Sequence, residues 1–178
     1  MERKHTSLTR ATTASVISAM IVGTMLIAAA PVSAHSHRDW HKERGHIEDR
    51  ARSQRGTRYN YGGGTPSSGF DCSGYIRWVF SEHGASLPHS SMEQFNMGRR
   101  EGYKRVWKIR KLEVGDLVFF KTTSARVGHA GIYIGNGRFI HSSSSGGGVR
   151  IDSVNDPHYY RQRFVGATRV PATQRFTG

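Results

Sequence analysis

The chain contains one cysteine, Cys72, set in Asp71-Cys72-Ser73-Gly74. A glycine-rich stretch, Tyr59–Gly69 (YNYGGGTPSSG), precedes it, and apolar residues of helical period follow it. A cysteine in the first turn of a helix faces unpaired N–H groups and a partial positive charge. Both favour thiolate over thiol and make the sulfur nucleophilic. Small neighbours let a substrate backbone approach. The bland alternative is a cysteine packed as a small hydrophobe, and the polar neighbours Asp71 and Ser73 speak against it. A thiolate nucleophile also needs a general base and a group to orient that base. Most of the ten histidines lie in polar stretches. His129 and His141 instead flank a hairpin signal, Gly135-Asn136-Gly137. A two-residue Asn136-Gly137 turn sets residue 141 opposite 132 and puts the two histidines on opposite faces. A three-residue turn sets 141 opposite 131, so that His129 becomes its diagonal neighbour on the same face, about 7–8 Å away between backbones. A shared site requires the three-residue turn, with Gly137 left-handed.

The elements that must hold these groups are legible in outline. Glu43–Arg55 reads as a first helix ended by Gly56, with Ile47 and Ala51 facing inward, behind a polar, His-rich arm at His35–Lys42. A second helix opens near Asp71 or Cys72, presents Tyr75, Ile76, Val79 and Phe80 on one face, and closes at Gly84. Ser90 and Ser91 before Glu93 and Gln94 form a capping box for a short third helix. The period then changes. Asp116–Phe120, His129–Ile134, Arg138–Ser142, Val149–Ile151 and Phe164–Val170 read as strands. Helices first and a mostly antiparallel sheet after make an α+β domain.

Residues 1–34 read as a secretory signal: basic residues at the start, an apolar run over Val16–Ala30, and small residues before a cleavage point after Ala34. The run is short for a membrane span, which needs about 20 apolar residues, so a retained anchor helix is the weaker reading. No cysteine follows it to carry a lipid. Cleavage would leave 144 residues, 35–178, enough for one domain, and would lower the net charge from +13 to +11. In an exported protein, that charge points to anionic wall polymers or headgroups rather than nucleic acid. A lone thiol outside the cytoplasm is either buried and inert or kept for its reactivity.

Four segments, YNYGGGTPSSGFDCSGYIRWVF (Tyr59–Phe80), LPHSSMEQF (Leu87–Phe95), LEVGDLVFF (Leu112–Phe120) and HAGIYIGNGRFIHSSSSGGGVRI (His129–Ile151), together resemble the NlpC family of cell-wall cysteine peptidases. The resemblance covers most of Tyr59–Val170. It implies a papain-like α+β fold with the nucleophile at a helix N-terminus packed on a small sheet. It implies Cys72 as nucleophile, His129 as general base and His141 as the residue that orients the base. Tyr59 matches a loop tyrosine of the oxyanion site, and Asp71 and Ser73 match substrate-contacting positions. It implies no metal and no cofactor. Tyr61 stands where the family often has Trp, and Glu43–Arg55 is poorer in apolar residues than the family's first helix.

The implied organisation is a signal (1–34), a polar arm and first helix (35–58), an NlpC-type catalytic domain (59–172) and a tail (173–178). The implied activity is hydrolysis of peptidoglycan stem or crosslink peptides by a monomer in the periplasm or cell wall, without stable membrane insertion after signal cleavage. Two rivals remain open: a wall-binding protein without catalysis, and a zinc site built from Cys72, His129 and His141.

Overall fold

The first helix, α1 (His37–Arg52), buries Ile47 and Ala51 completely. It starts six residues before the helix read from the sequence, so that most of the expected arm is helical. No proline lies between His37 and Arg52, Gly45 weakens the helix without ending it, and once a nucleus exists each added residue gains a backbone bond. Beyond it, α2 (Cys72–Ser81) buries Tyr75, Ile76, Val79 and Phe80 on one face. Asp71 caps it: the backbone there is extended, and the carboxylate accepts the Gly74 N–H at 2.7 Å. Ser90 caps α3 (Ser91–Met97) by accepting the Glu93 N–H. Two buried bonds tie the helices together, Tyr75 OH to the Ala51 carbonyl and Gln94 Nε2 to the Ser73 carbonyl. The computed structural model describes residues 37–100 and 102–171. The expected secretory signal (1–34) and the expected tail (173–178) lie outside the described residues. Among those described, no helix is long and apolar enough to cross a membrane.

The strands are β3 (Lys104–Val106), β4 (Leu117–Phe120), β5 (His129–Tyr133), β6 (Arg138–Ser143), β7 (Gly148–Ser153) and β8 (Phe164–Arg169). They form one sheet in the order β3-β8-β4-β5-β6-β7, and every pairing is antiparallel. A small hairpin, β1 (Gly64–Thr65) with β2 (Gly69–Phe70), delivers the chain to α2. A one-turn helix, α4 (Tyr160–Arg163), leads into β8. The helices cover one face of the sheet, where Phe119, Ile132 and Ile140 meet Tyr75, Phe80 and Phe95. Val118, Phe120, Phe139, Val154, Tyr160 and Ala167 build a second cluster on the other face. All four residues of β4 are therefore buried, as expected of a strand covered on both sides. Each such side chain contributes about 1.5–3 kcal/mol.

The β5–β6 connection decides where the histidines point. Ile132 pairs with Ile140 and Tyr133 with Phe139, and the Ile134 N–H bonds the Arg138 carbonyl. The turn is thus Gly135-Asn136-Gly137, the three-residue form. All three residues have positive φ, including Asn136 at 51°, a conformation that glycine and asparagine tolerate best.

Candidate active site

Cys72 is the first residue of α2 and is partly buried. The glycine-rich loop lies directly against the helix start. The Asp71 N–H bonds the Gly63 carbonyl, and a Cβ on Gly74 would sit 2.2 Å from that same oxygen, so only glycine fits two residues after the sulfur. Cys72 stands where two clefts meet. One, of about 360 Å³, runs past His129, Ser143 and Tyr160; the other, of about 470 Å³, runs past Asp71, Ser73 and His89. Tyr59, Tyr61 and Gly128 border both.

Backbone N–H groups of Ala130, Ser73 and Cys72 itself are directed at the sulfur and favour its ionised form. Burial, and after it the negative charge of Asp71, outweigh them and push the thiol up to about 11. This reverses the expectation from helix position alone. That argument counts the N–H groups but not the desolvation of the sulfur or the carboxylate one residue earlier.

His129 opens β5, and its Nε2 lies 2.6 Å from Nδ1 of His141 on β6. The two rings meet edge to face at 4.8 Å. Burial, then the neighbouring His141, hold His129 down to about 3. Burial also lowers His141. At rest the site therefore holds a thiol and neutral imidazoles. The chain continues past the residues read from the sequence: His141 Nε2 lies 3.0 Å from Oδ2 of Asp152 on β7. The hydrogen bond from His141 is the largest influence on Asp152, which lies at about 2. Arg150 Nε and Nη2 donate to its other oxygen, and Tyr160 OH donates to Oδ2.

The three remaining residues named from the sequence lie beside Cys72. Tyr59 is pinned through its N–H to the Gly147 carbonyl, and burial, then Cys72, raise its phenol. Asp71 accepts from the Gly62 and Gly74 N–H groups and the Ser73 hydroxyl, and His89 Nε2 lies 3.0 Å from both its oxygens. Tyr61 is 89% exposed at the mouth of both clefts.

A zinc site at Cys72, His129 and His141 does not fit this geometry. Both ring nitrogens of His141 are engaged, one with His129 and one with Asp152, so it has no lone pair to offer a metal. Among the described residues no group of three or more His, Cys, Asp or Glu is placed to hold one.

Comparison with known proteins gives the family of the chain. Residues 56–169 match the NlpC/P60 family. The murein DD-endopeptidase MepS/murein LD-carboxypeptidase of Escherichia coli K12 is 42% identical over 125 residues, which are 70% of this chain and 61% of that protein. The probable peptidoglycan endopeptidase LytE of Bacillus subtilis is 43% identical over 117 residues, 64% of this chain and 30% of that one. The chain thus spans less than two thirds of either relative. Among solved structures, the peptidoglycan hydrolase RipB of Mycobacterium tuberculosis superposes with a TM-score of 0.62 at 28% identity, covering 76% of this chain and 68% of that one. With the papain-like α+β fold and a family match over most of the described residues, the chain belongs to the NlpC/P60 family of cell-wall peptidases.

Proposed function

We propose that the chain is an exported cysteine endopeptidase that hydrolyses stem or crosslink peptides of peptidoglycan, with Cys72 as nucleophile and His129 as base. The observation that carries this reading is the position of Cys72 at the junction of two clefts, in a chain whose base is backed by His141 and Asp152. A peptide lying across the junction has residues on both sides of its scissile bond in contact with protein. The excess of basic residues in the chain suits a wall polymer that carries carboxylates.

With thiol and imidazole both neutral, the thiolate is made at the moment of use. His129 takes the Cys72 proton as the sulfur attacks the carbonyl, so that the two buried charges appear together and offset one another. The oxyanion is held by backbone N–H groups at the start of α2, beside Tyr59. Asp71 and Ser73 face the substrate along the second cleft. The imidazolium then protonates the leaving amine. Water, deprotonated by His129, attacks the thioester, and the acid product leaves as the thiol reforms.

The bond is either D-glutamate to diamino acid or diaminopimelate to D-alanine. The likeness to a DD-endopeptidase favours the crosslink. Export is assigned to residues 1–34, giving a mature chain from His35 in the periplasm or wall.

The test is digestion of purified crosslinked peptidoglycan by the mature protein and by Cys72→Ala, with fragments identified by mass. New fragments from the wild type alone establish the activity, and their masses name the bond. Equal fragments from both proteins would remove Cys72 from the chemistry. No fragments from either folded protein would favour a wall-binding role.

A further inference from the structure

We infer that Asp152 is a positioning residue that sets the tautomer of His129 from two hydrogen bonds away, through His141. The inference rests on the proposed roles of Cys72 and His129.

Both oxygens of the Asp152 carboxylate have hydrogen-bond partners. Oδ1 receives Arg150 Nε at 3.1 Å and Nη2 at 2.9 Å. Oδ2 receives the Tyr160 hydroxyl at 3.3 Å and faces His141 Nε2 at 3.0 Å. An ionised carboxylate only accepts hydrogen bonds, and a cation and a hydroxyl both donating to this one keep it ionised. The proton in the contact with His141 therefore sits on Nε2 of the ring. His141 is completely buried, and burial favours its neutral form. A neutral imidazole carries one N–H, so Nδ1 of His141 is bare and must accept. Its partner at 2.6 Å, Nε2 of His129, must donate.

His129 is neutral by the same burial, so its single proton is now assigned to Nε2. Its Nδ1 is left with a free lone pair, the only place on the ring that can take the Cys72 proton. The opposite tautomer would place an N–H on Nδ1 and could accept nothing from the thiol. The carboxylate has a second effect. Its charge favours the protonated form of His129, so it stabilises the imidazolium that forms as the sulfur attacks.

An asparagine at 152 cannot replace this. Donors approach both oxygens, Arg150 on one side, His141 and Tyr160 on the other. An amide has one oxygen, so one side must meet an NH2 group. A purely structural Asp152, serving only to pair Arg150 two residues earlier on β7, would predict no effect on either ring.

The experiment labels the histidines of the full chain with 15N and reads the imidazole nitrogens by NMR, alongside kcat and KM on crosslinked muropeptides. In the wild type, His129 and His141 should both carry the proton on Nε2. Asp152→Asn should shift His141 and His129 away from that form and lower kcat about 10²- to 10⁴-fold, with KM changed less than about threefold, as for the orienting carboxylate of a serine-protease triad. Asp152→Glu, which keeps two accepting oxygens, should restore the Nε2–H form and part of kcat. The inference is overturned if His129 in the wild type carries its proton on Nδ1. It is equally overturned if Asp152→Asn stays folded with kcat within about threefold of wild type, or loses activity with both tautomers unchanged. Failure of the underlying reading is seen separately, as hydrolysis that survives Cys72→Ala whatever the tautomers.

Discussion

His141 meets Asp152 at 3.0 Å, and on the other side of Cys72 His89 meets Asp71 at the same distance. The His141 side chain is wholly buried, whereas 26% of the His89 side chain is exposed. The second difference is what lies beyond each ring. His141 passes its contact on, from Asp152 through Nδ1 to His129. His89 brings one nitrogen to both oxygens of Asp71, and the carboxylate, not the histidine, is the hub there. Asp71 also accepts the Gly62 and Gly74 N–H groups, so it holds the glycine loop and the start of α2 in register. Two pairs of the same residues at the same distance thus differ in kind. One is part of a hydrogen-bond chain that ends at His129, and the other is a cap that ties the glycine loop to the start of α2.

The largest expected effect separates them directly. His141→Phe keeps an aromatic ring in the buried site but breaks both hydrogen bonds. It should lower kcat/KM on crosslinked muropeptides by about 10²- to 10⁴-fold, the usual worth of a well-placed base and its support. His89→Asn should change kcat/KM less than about tenfold. Equal losses at the two positions would show that His89 and His141 do not differ in role.

A smaller effect concerns stability and its sign. His129 and His141 have folded-state pKa values below their unfolded ones, His129 at about 3. The folded chain therefore resists protons that the unfolded chain accepts below about pH 6.5. Their contribution to stability is complete above that pH and is lost as pH falls below it, by up to about 1.4 kcal/mol per pH unit for each ring. Denaturant unfolding between pH 7 and 4.5 should show this slope, and His141→Phe should make it shallower. An unchanged slope in the variant would show that His141 is not held neutral by burial.

Each pair was only half legible in the sequence, which named His141 and Asp71 but neither Asp152 nor His89, and for Asp152 the reason is strand length. Cys72, His129 and His141 stand at an element start, a strand start and a hairpin return; Gly135-Asn136-Gly137 allowed two turns, and the need for a shared site selected the three-residue one that puts both histidines on one face. Asp152 lies one residue past the strand read as Val149–Ile151, whereas β7 continues to Ser153. Its partner follows from register: His141 stands opposite Arg150, so Asp152 is its diagonal neighbour on the same face. That register depends on where the Ser143–Gly148 run turns, and six consecutive serines and glycines contain no signal for the choice. The short elements β3 and α4 were missed for a related reason, since three or four residues carry too little periodicity to read. The start of α2 was legible to within a residue because the glycine-rich loop gives way there to the buried face of Tyr75, Ile76, Val79 and Phe80, whereas the capping role of Asp71 was not read. The direction of the Cys72 shift was not legible either, because it depends on how deeply the sheet covers the sulfur.

The smallest effect tests the cap as an electrostatic neighbour. Asp71 raises the Cys72 thiol, second only to burial, whereas Asp152 is not among the groups acting on it. Asparagine keeps an accepting oxygen for the Gly74 N–H of the cap but puts an NH2 group against the Gly62 N–H, so Asp71→Asn should cost about 1 kcal/mol in stability while removing the charge. The Cys72 thiol should then titrate below its value of about 11. Its alkylation by iodoacetamide at pH 8 should quicken by about twofold or more, because the thiolate fraction sets that rate. Asp71→Ala removes cap and charge together and should show the same gain in reactivity at a larger cost of about 2 kcal/mol in stability. If Asp71→Asn leaves alkylation unchanged, the carboxylate is only a cap. The slow thiol would then be the result of burial alone, and only a substrate that fills the two clefts could alter it.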